Sequence, residues 1–221
     1  MTDWSENIKD VYYSIKNLSG RNDLQISNNS LLVVKDAINA VADDVHHVLH
    51  SVLKSSDKKT VSKDAVMSAV KLNMSRTPEL LNPCIQFMSI KLGKFKNAAT
   101  GTKKNHISMS ERAELVFNAG RVDTTLREMY HFDRVSPSGA VAFAAFLEYL
   151  TVEILKGAME QTIKHKAKRI ANRYVLLAIA DDSDLRSIID MDAIPMAGAK
   201  VHTHNVLLSK AQRKRALEEA A

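Results

Sequence analysis

Apolar side chains return at three- and four-residue spacing in two long stretches of this chain. From Ala140 to His165 it reads AVAFAAFLEYLTVEILKGAMEQTIKH, with Phe143, Phe146, Leu147, Leu150, Ile154, Leu155, Ala158 and Met159 in one stripe. That period predicts a helix, and 26 residues at about 1.5 Å each make a rod of roughly 39 Å. From Leu31 to Leu53 a second unbroken stripe runs through Val34, Ile38, Val41, Val45, Val48, Leu49 and Val52, with Ser27 or Asn28 placed to cap it. Each rod is too long to bury both ends in a core of its own. The simplest core is therefore the two rods crossed.

Shorter elements fill the rest. Trp4–Leu18 is amphipathic and stops in SGRND; Val61–Met74 follows the polar loop SSDKKT; Pro78 and Pro83 frame the entry to a helix through Phe87, Ile90, Leu92 and Phe95. AATGTKKNH is the best linker candidate, dividing the chain into 1–97, 98–107 and 108–221. Beyond it come a short start with Ser110 as N-cap, a helix over Gly120–Met129 and a loop from Phe132 to Pro137, then the long rod. A basic loop His165–Arg169, a helix over Asn172–Ala180 and a short turn from DDSD follow. The tail from Asp190 reads as irregular.

The order repeats at an offset of 109 residues. KTVSKDAVMSAV (59–70) lies over KRIANRYVLLAI (168–179), and Val34, Ile38, Val41 and Val45 lie over Phe143, Leu147, Leu150 and Ile154. A period this long is no solenoid unit. It is one small helical domain written twice.

Composition narrows the class. Apolar residues make up 45%, and seven glycines with four prolines argue against a β-sandwich or a low-complexity chain. The net charge of +6 is compatible with nucleic acid without proving it. A single cysteine, Cys84, leaves no internal disulfide framework and points to a reducing compartment. No apolar run reaches the roughly 20 residues of a membrane span, so no membrane is expected. MTDWSENIKD lacks the apolar region of a secretory leader.

SERAELVFNAGRV (110–122), AAFLEYLTVEIL (144–155) and RIANRYVLLAIADDSDL (169–185) resemble core histone 2A, and the match runs on to NVLLSK near the C-terminus. The first half resembles histone 2B through IKNL, IS, DKKTVS, AVKL and PEL in order. The resemblance implies an all-α chain holding two histone folds, paired head-to-tail as an intramolecular handshake dimer. It is similar to the fused histone 2B–histone 2A doublets of large DNA viruses of the Marseillevirus group. Such a chain packages double-stranded DNA with a histone 4–histone 3 doublet, two copies of each giving an octamer-like particle. It would be chromatin-associated, in a host nucleus or viral factory and in the virion. The linker would make the pairing intramolecular, at an effective concentration typically in the millimolar range.

The resemblance also assigns residues. Arg134 and Arg169 match the family's minor-groove arginines, the role in which arginine enters each inward-facing groove of nucleosomal DNA. Arg121 matches a phosphate contact, and Arg112 and Lys168 join this set. In the first half Lys58, Lys59 and Thr60 hold the corresponding loop, where lysine keeps the charge but loses the planar fork. Ser27 and Asn28 start a helix whose N–H groups suit a phosphate. Glu148, Glu153, Asp182, Asp184 and Glu79 represent the family's acidic patch, weakened by Lys156, Ser183 and Phe87 at three of its positions. No long lysine-rich segment precedes the first helix, so tail-based contacts are not expected. The apolar edges Leu72–Phe95 and Asp190–Leu208 would need a histone 3/4-type partner.

Enzymatic readings fall away. His46 and His50 have metal-ligand spacing, with His47 between them, but no acid, cysteine or third histidine accompanies them at a motif spacing; His202 and His204 invite the same caution. Cys84 reads as a small buried hydrophobe, and no phosphate loop or nucleophile elbow is present. No cofactor or metal is expected. The alternative function is a histone-fold transcription-factor or protein-interaction module, which predicts loss of the paired-loop arginines and of the tail segment; Arg134, Arg169 and NVLLSK are all present.

Overall fold

The computed structural model describes residues 5–20, 23–98, 107–190 and 194. Trp4, most of the linker, NVLLSK, His202, His204 and the segment from 195 onward lie outside the described residues. The chain is mostly helical. In order it forms α1 (Ser5–Ser19), β1 (Gln25–Ile26), α2 (Asn28–Ser55), β2 (Thr60–Val61), α3 (Lys63–Asn73) and α4 (Pro78–Ala98). After the linker come α5 (Met109–Ala113), α6 (Ala119–Glu128), β3 (Arg134–Val135), α7 (Pro137–Lys164), β4 (Arg169–Ile170), α8 (Asn172–Asp181) and α9 (Ser183–Ile188).

Both rods are longer than their apolar stripes, at 28 residues each. Each starts three residues before the stretch its apolar pattern marks. Ser27 caps α2 by accepting from the Ser30 amide, and Ser136 caps α7 by accepting from Gly139. Pro137 therefore belongs to the helix as its first residue, where its missing N–H costs nothing. The far ends match as well. Asp57 and Lys166 adopt left-handed backbone at φ 51° and 54°. One residue on, the amides of Lys58 and Ala167 bond back to Leu53 and Thr162 at 3.0 Å each, the closure of a Schellman motif. Caps and closures recur at the same offset of 109 as the sequence repeat.

The strands decide how the rods cross. β1 pairs in parallel with β4, Gln25 beside Arg169, and β2 with β3, Thr60 beside Arg134. The start of α2 thus lies next to the end of α7, and the end of α2 next to the start of α7. The rods run antiparallel. At their crossing Val34, Ile38, Val41, Val45, Phe143, Leu147, Leu150 and Ile154 are buried. By length and composition α7 could cross a membrane, contrary to the expectation that no run is long enough, but 78% of that stretch is buried inside the fold.

Three local expectations give way. Ser108 caps α5, whereas the Ser110 hydroxyl accepts from the Ala119 amide at 2.8 Å and ties α5 to α6. Pro83 sits inside α4 rather than before it; burial of Leu80, Cys84 and Met88 holds the helix through the lost bond. Val61 leaves the third helix to become a buried strand residue.

Candidate nucleic-acid interface

Period-two alternation within each two-residue strand aims the loops. Val61, Val135 and Ile170 point into the core, while Arg134, Arg169 and Gln25 are exposed. Their neighbours Lys58, Lys59 and Lys168 are exposed too. Two corners result. One gathers Lys58, Lys59, Thr60 and Arg134 where α3 and α7 begin; the other gathers Ser27, Asn28, Lys168 and Arg169 where α2 and α8 begin. None of these five cations joins an ion pair among the described residues.

Each corner has two helix N-termini, whose free N–H groups and dipoles attract anions. Ala171, at the N-cap of α8, supplies no side-chain cap, and of the first-turn amides Tyr174 donates to the Ala171 carbonyl at 2.9 Å. The corners sit at opposite ends of the rods, roughly 40 Å apart by helix length. A run of small locks holds them. The Ser30 hydroxyl lies 3.0 Å from the Ile170 carbonyl and 3.1 Å from Asn172 Oδ1. Ser136 donates to the Val61 carbonyl from both its amide (2.9 Å) and its hydroxyl (3.0 Å). Arg127, bonded to Asp123, donates Nη2–H to the Val135 carbonyl at 3.0 Å. Sequence reasoning missed these three residues. The Asp123–Arg127 spacing of four was readable, but the reach to Val135 was not.

Two basic residues assigned with the loops stand elsewhere. The Arg112 guanidinium stacks 4.3 Å from the Phe95 ring, with its Nε buried and without a hydrogen-bond partner; it ties α5 to the end of α4 and is absent from both corners. Arg121 forms an ion pair with Glu6 of α1 at 2.9 Å. Both partners are largely exposed, so the pair is worth at most about 1 kcal/mol.

The acidic set divides. Glu79, Glu153, Asp182 and Asp184 line one groove between α4, α7 and α9, with Asp181 added. Glu148 does not belong there as a surface charge, being 4% exposed. Its Oε2 accepts from the amides of Val116 (2.6 Å) and Phe117 (2.9 Å), and Oε1 lies 3.4 Å from Lys91 Nζ. A carboxylate that serves two backbone donors and a lysine is structural. In the groove itself Asp182 caps α9, Asp184 accepts from the Leu80 amide at 3.1 Å, and Glu153 pairs with Lys156. Much of its negative charge is thus already answered within the chain.

Cys84 is buried with its thiol pushed up to about 12 by desolvation, then by Glu153. A thiol held neutral in this way is no nucleophile.

No family model matches the chain. Among curated proteins it is similar to a probable histone 2A of Oryza sativa subsp. indica, 33% identical over 118 residues, which covers 53% of this chain and 87% of the relative. It is similar to a histone 2A of Volvox carteri at 34% over 129 residues and to one of Chlamydomonas reinhardtii at 33% over 129 residues. Each of those alignments covers 58% of this chain and 98% of the relative.

Proposed function

The chain belongs to the histone 2A family, and from that premise we propose that it is a double core histone. In this reading residues 1–97 form a histone 2B-like fold and residues 108–221 the histone 2A-like fold, joined by 98–107. It is a structural protein and not an enzyme. It packages DNA without reading sequence, by presenting Arg134, Arg169, Lys168, Lys58 and Lys59 at the two corners to phosphates and minor grooves. Ser27, Asn28 and Thr60 supply hydroxyl and backbone donors, and Arg121 joins after leaving Glu6. The observation that carries the reading is the pairing Thr60–Arg134 and Gln25–Arg169, which sets exposed cations, in no ion pair among the described residues, beside two helix N-termini at each end of the crossed rods.

The assembly is part of the proposal. Leu72 and Ile90 are 60% and 51% exposed, an apolar edge suited to a histone 4–histone 3 doublet in an octamer-like particle. The relation to viral doublets, with location in a viral factory, host nucleus or virion, rests on the sequence resemblance.

Micrococcal nuclease digestion of particles reconstituted from this chain and the matching doublet tests the reading. A protected fragment of constant length on unrelated DNA sequences is expected; uniform digestion refutes packaging. Arg134→Glu with Arg169→Glu should flatten log K against log salt by about 1.8, at roughly 0.9 per lost phosphate contact, with the helical content unchanged. An unaltered slope removes the corners from the interface.

A further inference from the structure

The two corners are not fastened alike. Behind the Thr60–Arg134 corner, α2 carries His46, His47 and His50, and the segment 129–133 that leads into Arg134 carries Tyr130 and Phe132. The His46 ring stacks on Tyr130 at 4.3 Å between centroids and 14° between planes; the His50 ring stacks on Phe132 at 4.2 Å and 18°. His50 Nε2 lies 3.0 Å from the Tyr130 carbonyl oxygen. The Tyr130 hydroxyl donates to Asp43 at 2.7 Å, and His46 Nδ1 lies 2.8 Å from the Asp43 carbonyl oxygen. The two imidazoles cover the aromatic rings, leaving Tyr130 and Phe132 only 8% and 5% exposed. At the repeat offset of 109 the positions of His46 and His50 are held by Leu155 and Met159, which do not titrate.

Three imidazoles share this small space, with His46 centred 4.2 Å from His47 and 5.4 Å from His50. We propose that this histidine–aromatic cluster is a pH-sensitive clamp: near pH 7.5 it fastens residues 129–133, and through them Arg134, to α2, and acidification releases them. Release loosens the Thr60–Arg134 corner and leaves the Gln25–Arg169 corner in place. The consequence for DNA rests on the packaging function proposed above; the clamp itself does not.

The direction follows from the surroundings. Burial, first, and then the neighbouring His47 and His50 hold the His46 imidazole below its ordinary value, against the Asp43 carbonyl and carboxylate, which raise it. Tyr130, raised by burial and by Asp43, stays neutral throughout and keeps donating. Asp44 faces His47 and Asp190, and His131 and Asp133 of the opposing segment are exposed. A base depressed in the folded state binds more protons once released. Its contribution to stability is therefore present above the unfolded value of about 6.5 and is lost as pH falls through the folded one. Stacking an imidazolium on Tyr130 returns part of this, but the burial that disfavours the charged His46 ring remains. His131 holds left-handed backbone at φ 55°, so the segment relaxes once unfastened.

Hydrogen–deuterium exchange of the intact chain at pH 7.5 and 5.5, corrected for intrinsic rates, tests the clamp. Amides of residues 129–135 should lose protection by roughly threefold or more, while those of 24–27 and 168–170 do not. His46→Leu with His50→Met, taken from the equivalent positions, should abolish the selective loss. His50→Gln, which keeps a donor, should diminish it if the double variant folds poorly. Equal response of both corners, or a selective loss that survives in the variants, overturns the clamp. Duplex binding by anisotropy at the same two pH values separates the readings: selective release without a change in DNA affinity sustains the clamp and counts against the DNA role of that corner.

Discussion

Gly139 is the third residue of α7 and lies against the backbone of β2. A Cβ built there would sit 2.4 Å from the Val61 carbonyl oxygen and 3.1 Å from its carbon, against backbone rather than a flexible side chain. Ordinary contact starts near 3.4 Å, so Gly139→Ala must drive β2 and α7 apart by about 1 Å. The Val61 carbonyl accepts from the Ser136 amide and hydroxyl at 2.9 and 3.0 Å; the same shift takes both beyond hydrogen-bond range. Losing them costs about 0.5–1.5 kcal/mol each, and overpacking adds about 1–3 kcal/mol. The better helix propensity of alanine returns about 1 kcal/mol. The net is a loss of about 3 kcal/mol, or a Tm lower by roughly 6–12 °C for a chain of this size. Urea denaturation followed by circular dichroism reads it as a lower midpoint at unchanged slope. Gly93→Ala is the control: it lies within α4 with nothing inside 4 Å of the added carbon, and it should gain about 0.5–1 kcal/mol. If Gly139→Ala proves as stable as Gly93→Ala, the close approach of α7 to β2 is not a feature of the fold.

Glu148→Ala leaves the Val116 and Phe117 amides and Lys91 without their acceptor, so a loss of about 3–5 kcal/mol is expected; an unchanged urea midpoint would return Glu148 to the acidic surface. Asp57→Gly and Lys166→Gly relieve left-handed backbone at the ends of both rods and should each stabilise by about 0.5–1 kcal/mol, which thermal melts decide. Leu72→Asp, on a side chain 60% exposed, should leave the isolated chain as stable as before while preventing assembly with the proposed histone 4–histone 3 doublet in sedimentation. Cys84, buried with its thiol at about 12, should resist alkylation at pH 8 until urea unfolds the chain.

Much of the helical plan was readable because it is written in local terms. Apolar spacing located both rods, Ser27 marked the start of the first, and the polar loop SSDKKT and the basic loop His165–Arg169 marked their far ends. Family letters located Arg134 and Arg169. What escaped was whatever depends on a second segment. Glu148 stands in the sequence like any surface acid, and only the approach of residues 116–117 and of Lys91 makes it structural. Arg112 looked like one more loop cation until Phe95 came across from α4. His46 and His50 matched a metal spacing, yet their rings are spent on Tyr130 and Phe132.

The two rods, the Ser27 cap and the 109-residue repeat were legible in the letters, the first two from residues within a few turns of one another and the third from laying one half over the other. Only the folded chain showed which cations share a corner and, among the described residues, which of them join no ion pair. Those outcomes hang on four two-residue strands whose partners lie 74 or 144 positions away. No local preference encodes such a pairing; burying Val61, Val135 and Ile170, with Ile26 packed against them, leaves Arg134, Gln25 and Arg169 facing outward.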